Sequence, residues 1–94
     1  MTLNKAIEVW GERSQLIKLN EELGELISAV SKYLNKDVEK RHKEADLVKS
    51  IVNECADVEI LIDQLKTILD IRDVVYFRKL EKLDRLETIL NETK

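Results

Sequence analysis

The sequence predicts an all-α fold, a helical bundle formed as a single domain over residues 1–94. The 94 residues include no proline and only two glycines. Apolar residues recur every three or four positions, the period of a helix buried on one side, whereas the alternation typical of strands is missing. A chain this short buries a modest fraction of its surface. We therefore expect homo-oligomerisation, as a homodimer or homotetramer, to complete the bundle.

Composition excludes several classes of protein. The formal net charge is -3, with 16 basic and 19 acidic residues interleaved, so we expect no nucleic-acid partner. No apolar run is long enough to span a membrane and no signal-peptide pattern opens the chain, so we expect no membrane association. The single cysteine, Cys55, excludes an intramolecular disulfide and favours the cytoplasm.

The first third of the chain predicts two helices separated at Gly11. A short lead helix covers Asn4–Trp10, with Trp10 as a packing residue and base stacking as its alternative role. Ser14 is the expected N-cap of a long helix that ends near Leu34. The apolar seam expected along the long helix consists of Leu16, Leu19, Leu23, Leu26, Val30 and Tyr33.

The polar segment Asn35–Ala45 predicts a connection, partly helical, before a second long helix capped by Asp46 and ending near Asp70. Further apolar residues widen the surface of this helix beyond one stripe, which predicts burial on two sides, against its own chain and against a partner. Its expected seam is Val48, Ile51, Cys55, Val58, Ile62, Leu65 and Leu69.

The last predicted helix runs from about Asp73 to Asn91. Charged residues of both signs alternate around it, which is typical of a solvated outer surface. One side is apolar, with Tyr76, Leu80, Leu83, Leu86 and Leu90.

Two pairs of acidic residues are the candidate metal ligands of the sequence. Glu22 and Glu25 are three residues apart on one predicted helix, and Glu54 and Asp57 are three apart on the next, so each pair shares a helix face. Both pairs flank an apolar seam, and an antiparallel helix pair would bring them together. Desolvated like charges need a cation, and oxygen-only ligands favour Mg²⁺, with Mn²⁺ as the alternative. Hydrolysis of a phosphoanhydride is the reaction class that follows most directly.

The run from Gly11 to Ala29, followed by Glu54-Cys-Ala-Asp57, resembles the MazG-like family of all-α nucleoside triphosphate pyrophosphohydrolases. These proteins carry E-E-x-x-E on one helix and E-x-x-D on the next. The resemblance implies Mg²⁺-dependent conversion of a nucleoside or deoxynucleoside triphosphate to the monophosphate and pyrophosphate. It also implies homodimers or homotetramers, often with sites completed at subunit contacts.

By motif match, the implied metal ligands are Glu22, Glu25, Glu54 and Asp57, with Glu21 as an accessory acid. Substrate contacts are weaker predictions. Gln15 and Lys18 share the helix stripe of the acids, and the basic residues of the last helix are more simply explained as a solvated surface. The candidate substrate-binding residues are Gln15, Lys18, Lys79, Lys82 and Arg85.

Two other classes of function stay open on the sequence. One is a helical module that binds nucleotide or metal without turnover, and the other is a structural interaction protein whose carboxylates are surface charge. The di-iron carboxylate bundle fails because it requires two Glu-x-x-His motifs, and the chain has a single histidine, His42.

Overall fold

A computed structural model describes residues 2–93, except for the side chains of residues 2 and 39. This part of the chain is all-helical and contains no strand, which confirms the predicted fold class. Within the same range no helix combines the length and apolar character that crossing a membrane requires. The helices are α1 Thr2–Trp10, α2 Glu12–Leu34, α3 Lys36–Glu39, α4 Glu44–Leu69 and α5 Arg72–Thr93.

Gly11 separates α1 from α2, as predicted, but α2 begins earlier than expected. Gly11 is itself the N-cap, with φ 85° and ψ 152°. The N–H of Gln15 donates to the Gly11 carbonyl at 3.2 Å. The prediction of Ser14 as N-cap is therefore wrong, because the backbone turn at Gly11 already starts the helix.

Alanine substitutions at the two glycines should change the free energy of unfolding in opposite directions. The backbone of Gly11 is strained for any L-residue, so Gly11→Ala is expected to lower the unfolding free energy by about 1–3 kcal/mol. Gly24 lies inside a helix, and a Cβ added there would meet no other atom within 4 Å. Gly24→Ala is therefore expected to raise the unfolding free energy by about 0.4–1 kcal/mol. Urea unfolding of both variants measures the difference, and a stabilising Gly11→Ala would contradict the assigned conformation.

The connection between the two long helices is partly helical, as predicted, through α3. The prediction of Asp46 as the cap of α4 is wrong, since α4 begins at Glu44 with Lys43 as N-cap and no side-chain cap. Glu44 and Asp46 lie in the first turn instead, where their negative charges interact favourably with the positive end of the helix dipole.

The helices α2 and α4 form an antiparallel pair, which is the main packing contact of the chain. Near one end, the Tyr33 hydroxyl lies 3.4 Å from Glu44 Oε1. Near the other end, Gln15 and Gln64 line the same cavity. α1 packs on both helices of the pair, so it covers one side of the pair.

The core of the α2–α4 pair is rotated relative to the predicted seams. Leu23, Val30, Val48 and Cys55 were predicted to be inside and are exposed. A single neighbouring helix covers only one stripe of a helix, and here that stripe includes Glu22 and Glu54. The buried apolar residues of the described chain are Leu19, Ala29, Leu47, Val58 and Leu61, and the buried polar ones are Gln15, Glu22 and Gln64.

α5 leads away from the bundle. Its start is fixed by Arg72, whose guanidinium donates to Asp63 Oδ1 at 3.3 Å, to the Asp63 carbonyl at 3.1 Å and to Thr67 Oγ1 at 3.2 Å. Every residue from Tyr76 to Thr93 is exposed. The Cα radius of gyration is 17.2 Å, against about 12 Å expected for a compact chain of this length.

Candidate metal and nucleotide site

The antiparallel pairing of α2 and α4 brings three of the four predicted carboxylates together. Glu22, Glu25 and Glu54 each offer one oxygen, and these three atoms lie within 4.8 Å of one another. We call these residues the acid cluster. Glu22 is buried at 8% exposure, Glu54 is half-buried and Glu25 is exposed. The cluster therefore lies at the edge of the core, open to solvent on the side of Glu25.

Two oxygens of the acid cluster are buried without a hydrogen-bond partner, Glu22 Oε2 and Glu54 Oε2. A buried unpaired carboxylate oxygen is costly, and native proteins usually satisfy such atoms. The other Glu22 oxygen, Oε1, is 3.6 Å from Lys18 Nζ. Lys18 is largely exposed and compensates for only part of the charge.

The crowding of the acid cluster raises the pKa of two of its members, Glu54 and Glu25. Burial raises the pKa of Glu54 from 4.5 to about 7, helped by hydrogen bonding with Glu22 and by the negative charge of Glu25. Hydrogen bonding with Glu22, and then its charge, raises the pKa of Glu25. Three ionised carboxylates are therefore unfavourable here without a neighbouring cation.

The donor set fits a hard divalent cation. All three residues offer carboxylate oxygens, which Mg²⁺ and Mn²⁺ prefer, and the two unpaired oxygens are acceptors that a cation would satisfy. Cys55, next to Glu54 in sequence, is exposed and contributes no thiolate to the cluster. Zinc sites by contrast usually include cysteine or histidine.

A cavity of about 250 Å³, mostly apolar with a few polar groups, adjoins the acid cluster through Glu22, which lines it. We call it the inner cavity. Gln15 and Gln64 line it as well and are buried at 5% and 4% exposure, and the amide oxygen of Gln64 has no hydrogen-bond partner. The full lining is Leu3, Ala6, Trp10, Gln15, Lys18, Glu22, Asp57, Ile60, Leu61 and Gln64.

A second, more open cavity of about 590 Å³ lies at the junction of α1 and α2. We call it the outer cavity. Trp10 and Lys18 line both cavities, and Arg13 and Glu21 line only this one. Sites for small ligands commonly have volumes of about 300–1,000 Å³. The outer cavity falls within this range, and Arg13 and Lys18 bring positive charge to its lining beside the acidic Glu12 and Glu21.

The remaining predicted residues lie in different places. Asp57 is outside the acid cluster but lines the inner cavity. Glu21 is exposed beside the outer cavity, and Gln15 and Lys18 line the inner cavity together with Glu22. Lys79, Lys82 and Arg85 are exposed on α5 and line neither cavity, so the structure of one chain does not bring them to the acid cluster.

Two residues of the site, Trp10 and Gln64, were not among the predicted substrate-binding residues. Gln64 continues the helical stripe from Glu54 and Asp57 through Leu61, so extending that stripe by one turn would have found it. Trp10 was predicted mainly as a packing residue, with base stacking as the alternative, and it is 64% exposed and lines both cavities. Its position depends on the turn at Gly11, which spacing alone does not fix.

Comparisons of this chain with protein families, with characterised proteins and with solved structures found no match. The fold and the site define a helical protein with three clustered carboxylates between two antiparallel helices, beside a small, mostly apolar cavity.

The raised pKa of Glu54 predicts an unusual pH dependence of stability in Mg²⁺-free buffer. The folded state keeps this proton up to about pH 7, whereas the unfolded chain releases it near the ordinary value of 4.5. Between these values the folded state binds more protons, so the contribution to stability is present at low pH and lost as pH rises. Urea unfolding with EDTA, from pH 4.5 to 7, should show this fall.

Glu54→Gln removes the titrating group and should flatten that part of the profile. Glu59→Gln is the matched control, because Glu59 is an exposed acid of the same helix. Profiles of Glu54→Gln and the unmodified protein that stay parallel would contradict the crowding of the acid cluster.

Proposed function

We propose that this protein is a Mg²⁺-dependent nucleoside triphosphate pyrophosphohydrolase of the MazG-like kind, which converts a (d)NTP to the (d)NMP and pyrophosphate. The observation that carries the proposal is the acid cluster, in which both acidic motifs contribute carboxylates beside the inner cavity. A homo-oligomer in the cytoplasm belongs to the same proposal.

Glu22, Glu25 and Glu54 would hold the cation, since their oxygens converge and two of them are otherwise unpaired. When bound, Mg²⁺ supplies positive charge that neutralises phosphate oxygens and favours attack by water on phosphorus. Asp57 lines the inner cavity together with Glu22, so we place its carboxylate on the substrate side of the acid cluster.

Lys18 is the cation placed to bind phosphate. Its ammonium group already lies 3.6 Å from a Glu22 oxygen, between the two cavities. A triphosphate bound there would exchange a solvent-exposed ion pair for a contact with a more highly charged group. Negative charge that develops on the departing pyrophosphate would be stabilised by the same ammonium group.

We assign recognition of the nucleoside to Trp10 and to the buried amides of Gln15 and Gln64. The exposed Trp10 ring offers an apolar surface on which a base can stack. Gln64 presents an unpaired amide oxygen that can accept a hydrogen bond from a base or sugar, and the amide of Gln15 lines the same cavity.

Hydrolysis of (d)NTPs in ¹⁸O-labelled water tests the proposed reaction. Attack at the α-phosphorus breaks the bond between the α- and β-phosphates and places one labelled oxygen in the monophosphate. We expect that label in the (d)NMP and none in the pyrophosphate. Labelled inorganic phosphate would indicate γ-attack and contradict the proposal, and Mg²⁺-dependent nucleotide binding without any product would favour the non-catalytic module.

A further inference from the structure

Two apolar surfaces are left exposed by the part of the chain that the structure describes. The first lies on the α2–α4 pair, where Leu23, Ile27, Val30, Val48 and Val52 are exposed, Ile27 at 68%. We call it the apolar face. By helical periodicity these residues lie on the side of the pair opposite the side that α1 and the inner cavity occupy. The acid cluster and the apolar face are therefore on different sides of the pair.

The apolar face has the composition of an interface core. From Leu16 to Leu34, the stripe of α2 that contains Leu23, Ile27 and Val30 includes no charged side chain, although charged residues make up 37% of the chain. Depletion of charge marks the centre of protein–protein interfaces, and a contiguous apolar patch on a small protein indicates a partner.

The second uncovered surface is the apolar side of α5. Leu80, Leu83, Leu86 and Leu90 are between 46% and 56% exposed, and no residue of α5 is buried. Most of the stability of a protein helix comes from tertiary packing of its apolar side. A helix of 22 residues without such packing therefore requires a partner surface.

The dimensions of the two surfaces match. The apolar stripe of α5 from Val75 to Leu90 is about 22 Å long at 1.5 Å per residue. On α2 the apolar face covers about 10 Å from Leu23 to Val30, and the exposed Leu34, one turn further on the same stripe, extends the apolar surface to about 17 Å. The α5 stripe is also wider than the two-position seam of a coiled coil, since Val75 and Ile89 extend it, and this breadth suits a helix that packs across a pair of helices.

We propose that α5 is an exchanged arm, which packs its apolar stripe on the apolar face of a second copy of this chain while receiving that copy's α5 in return. Reciprocal exchange around a two-fold axis closes the assembly and covers both surfaces with one type of contact. It also accounts for the extended shape of the single chain, because Arg72 directs α5 away from its own bundle.

This inference deepens the homo-oligomer of the proposed function, and its test is independent of the proposed chemistry because it measures association. Sedimentation velocity should show the unmodified protein as a dimer or a multiple of it. Leu83→Lys on the arm and Ile27→Glu on the apolar face should each give monomers with unchanged helical circular dichroism. Thr88→Glu, a charge on the opposite side of α5, is the control and should leave the assembly intact.

Mixing the two monomeric variants gives the decisive result. In a mixed dimer, the Leu83→Lys arm meets the Ile27→Glu face with opposite charges, and the other contact has only native residues. We expect dimers to return in the equimolar mixture. A monomeric unmodified protein, a Leu83→Lys variant that still dimerises, or a mixture that stays monomeric would each overturn the exchanged arm, whatever the protein hydrolyses.

Discussion

Replacing Glu22 with glutamine is expected to reduce Mg²⁺-dependent pyrophosphate release at least about 100-fold. Loss of a residue that merely orients a metal ligand commonly costs about 10–100-fold in metal affinity or activity, and loss of a ligand should cost at least as much. Glu22 is the most buried member of the acid cluster, adjoins the inner cavity and pairs with Lys18. Initial rates over a range of Mg²⁺ concentrations measure the effect.

The same substitution should not unfold the protein. Glutamine keeps the shape of the side chain and removes one of three crowded negative charges, so without metal the free energy of unfolding should be unchanged or higher. A loss of activity without a loss of stability distinguishes a metal ligand from a residue that only supports the fold. Glu59→Gln, at an exposed position, is the control for removal of an acidic charge and should keep full activity. A fully active Glu22→Gln variant would contradict the assignment.

Mg²⁺ is expected to stabilise the folded protein strongly. A ligand that binds only the folded state, present at 100 times its dissociation constant, adds about 2.7 kcal/mol to the unfolding free energy. For a domain of this size that corresponds to a rise of roughly 10–20 °C in Tm. Thermal unfolding monitored by circular dichroism, with and without Mg²⁺ at constant ionic strength, measures this shift.

The shift should depend on the acid cluster. Glu54→Gln removes one of the converging carboxylates and should lose most of the Mg²⁺-dependent increase in Tm, whereas Glu59→Gln should retain it. An equal increase in the unmodified protein and in Glu54→Gln would show that Mg²⁺ acts elsewhere on the surface.

The helices and their acidic motifs were accessible to sequence analysis because both depend on local spacing. The three-residue separations in each motif place the carboxylates on one face, and an antiparallel pair then joins Glu22 and Glu25 with Glu54. Gly11 was identified as the break between helices because glycine tolerates the positive φ that the turn requires.

The rotation of the core could not be predicted in the same way. α2 and α4 are apolar over more than one stripe, and periodicity does not say which stripe meets the neighbouring helix first. Cys55 was therefore predicted inside and lies outside, while Asp57 lines the inner cavity instead of joining the acid cluster. Three of the seam residues left exposed, Leu23, Val30 and Val48, belong to the apolar face.

The caps of the long helices were missed for a different reason. Ser14 and Asp46 are good capping residues by type, but Gly11 and Lys43 begin the helices through backbone geometry, without a side-chain hydrogen bond. Tertiary packing and the Gly11 turn decide these boundaries, and local preference alone gives them only to within a few residues.

Pyrophosphate release from a panel of ribonucleoside and deoxyribonucleoside triphosphates, with and without Mg²⁺, tests most directly that the acid cluster is a catalytic metal site. Glu25→Gln is the matched blank, because Glu25 belongs to the acid cluster and is exposed, so its replacement should disturb the fold least. We predict Mg²⁺-dependent release from at least one nucleotide by the unmodified protein and its loss in the variant. Absence of release from every nucleotide by folded protein, or equal release by Glu25→Gln, would contradict the proposed function.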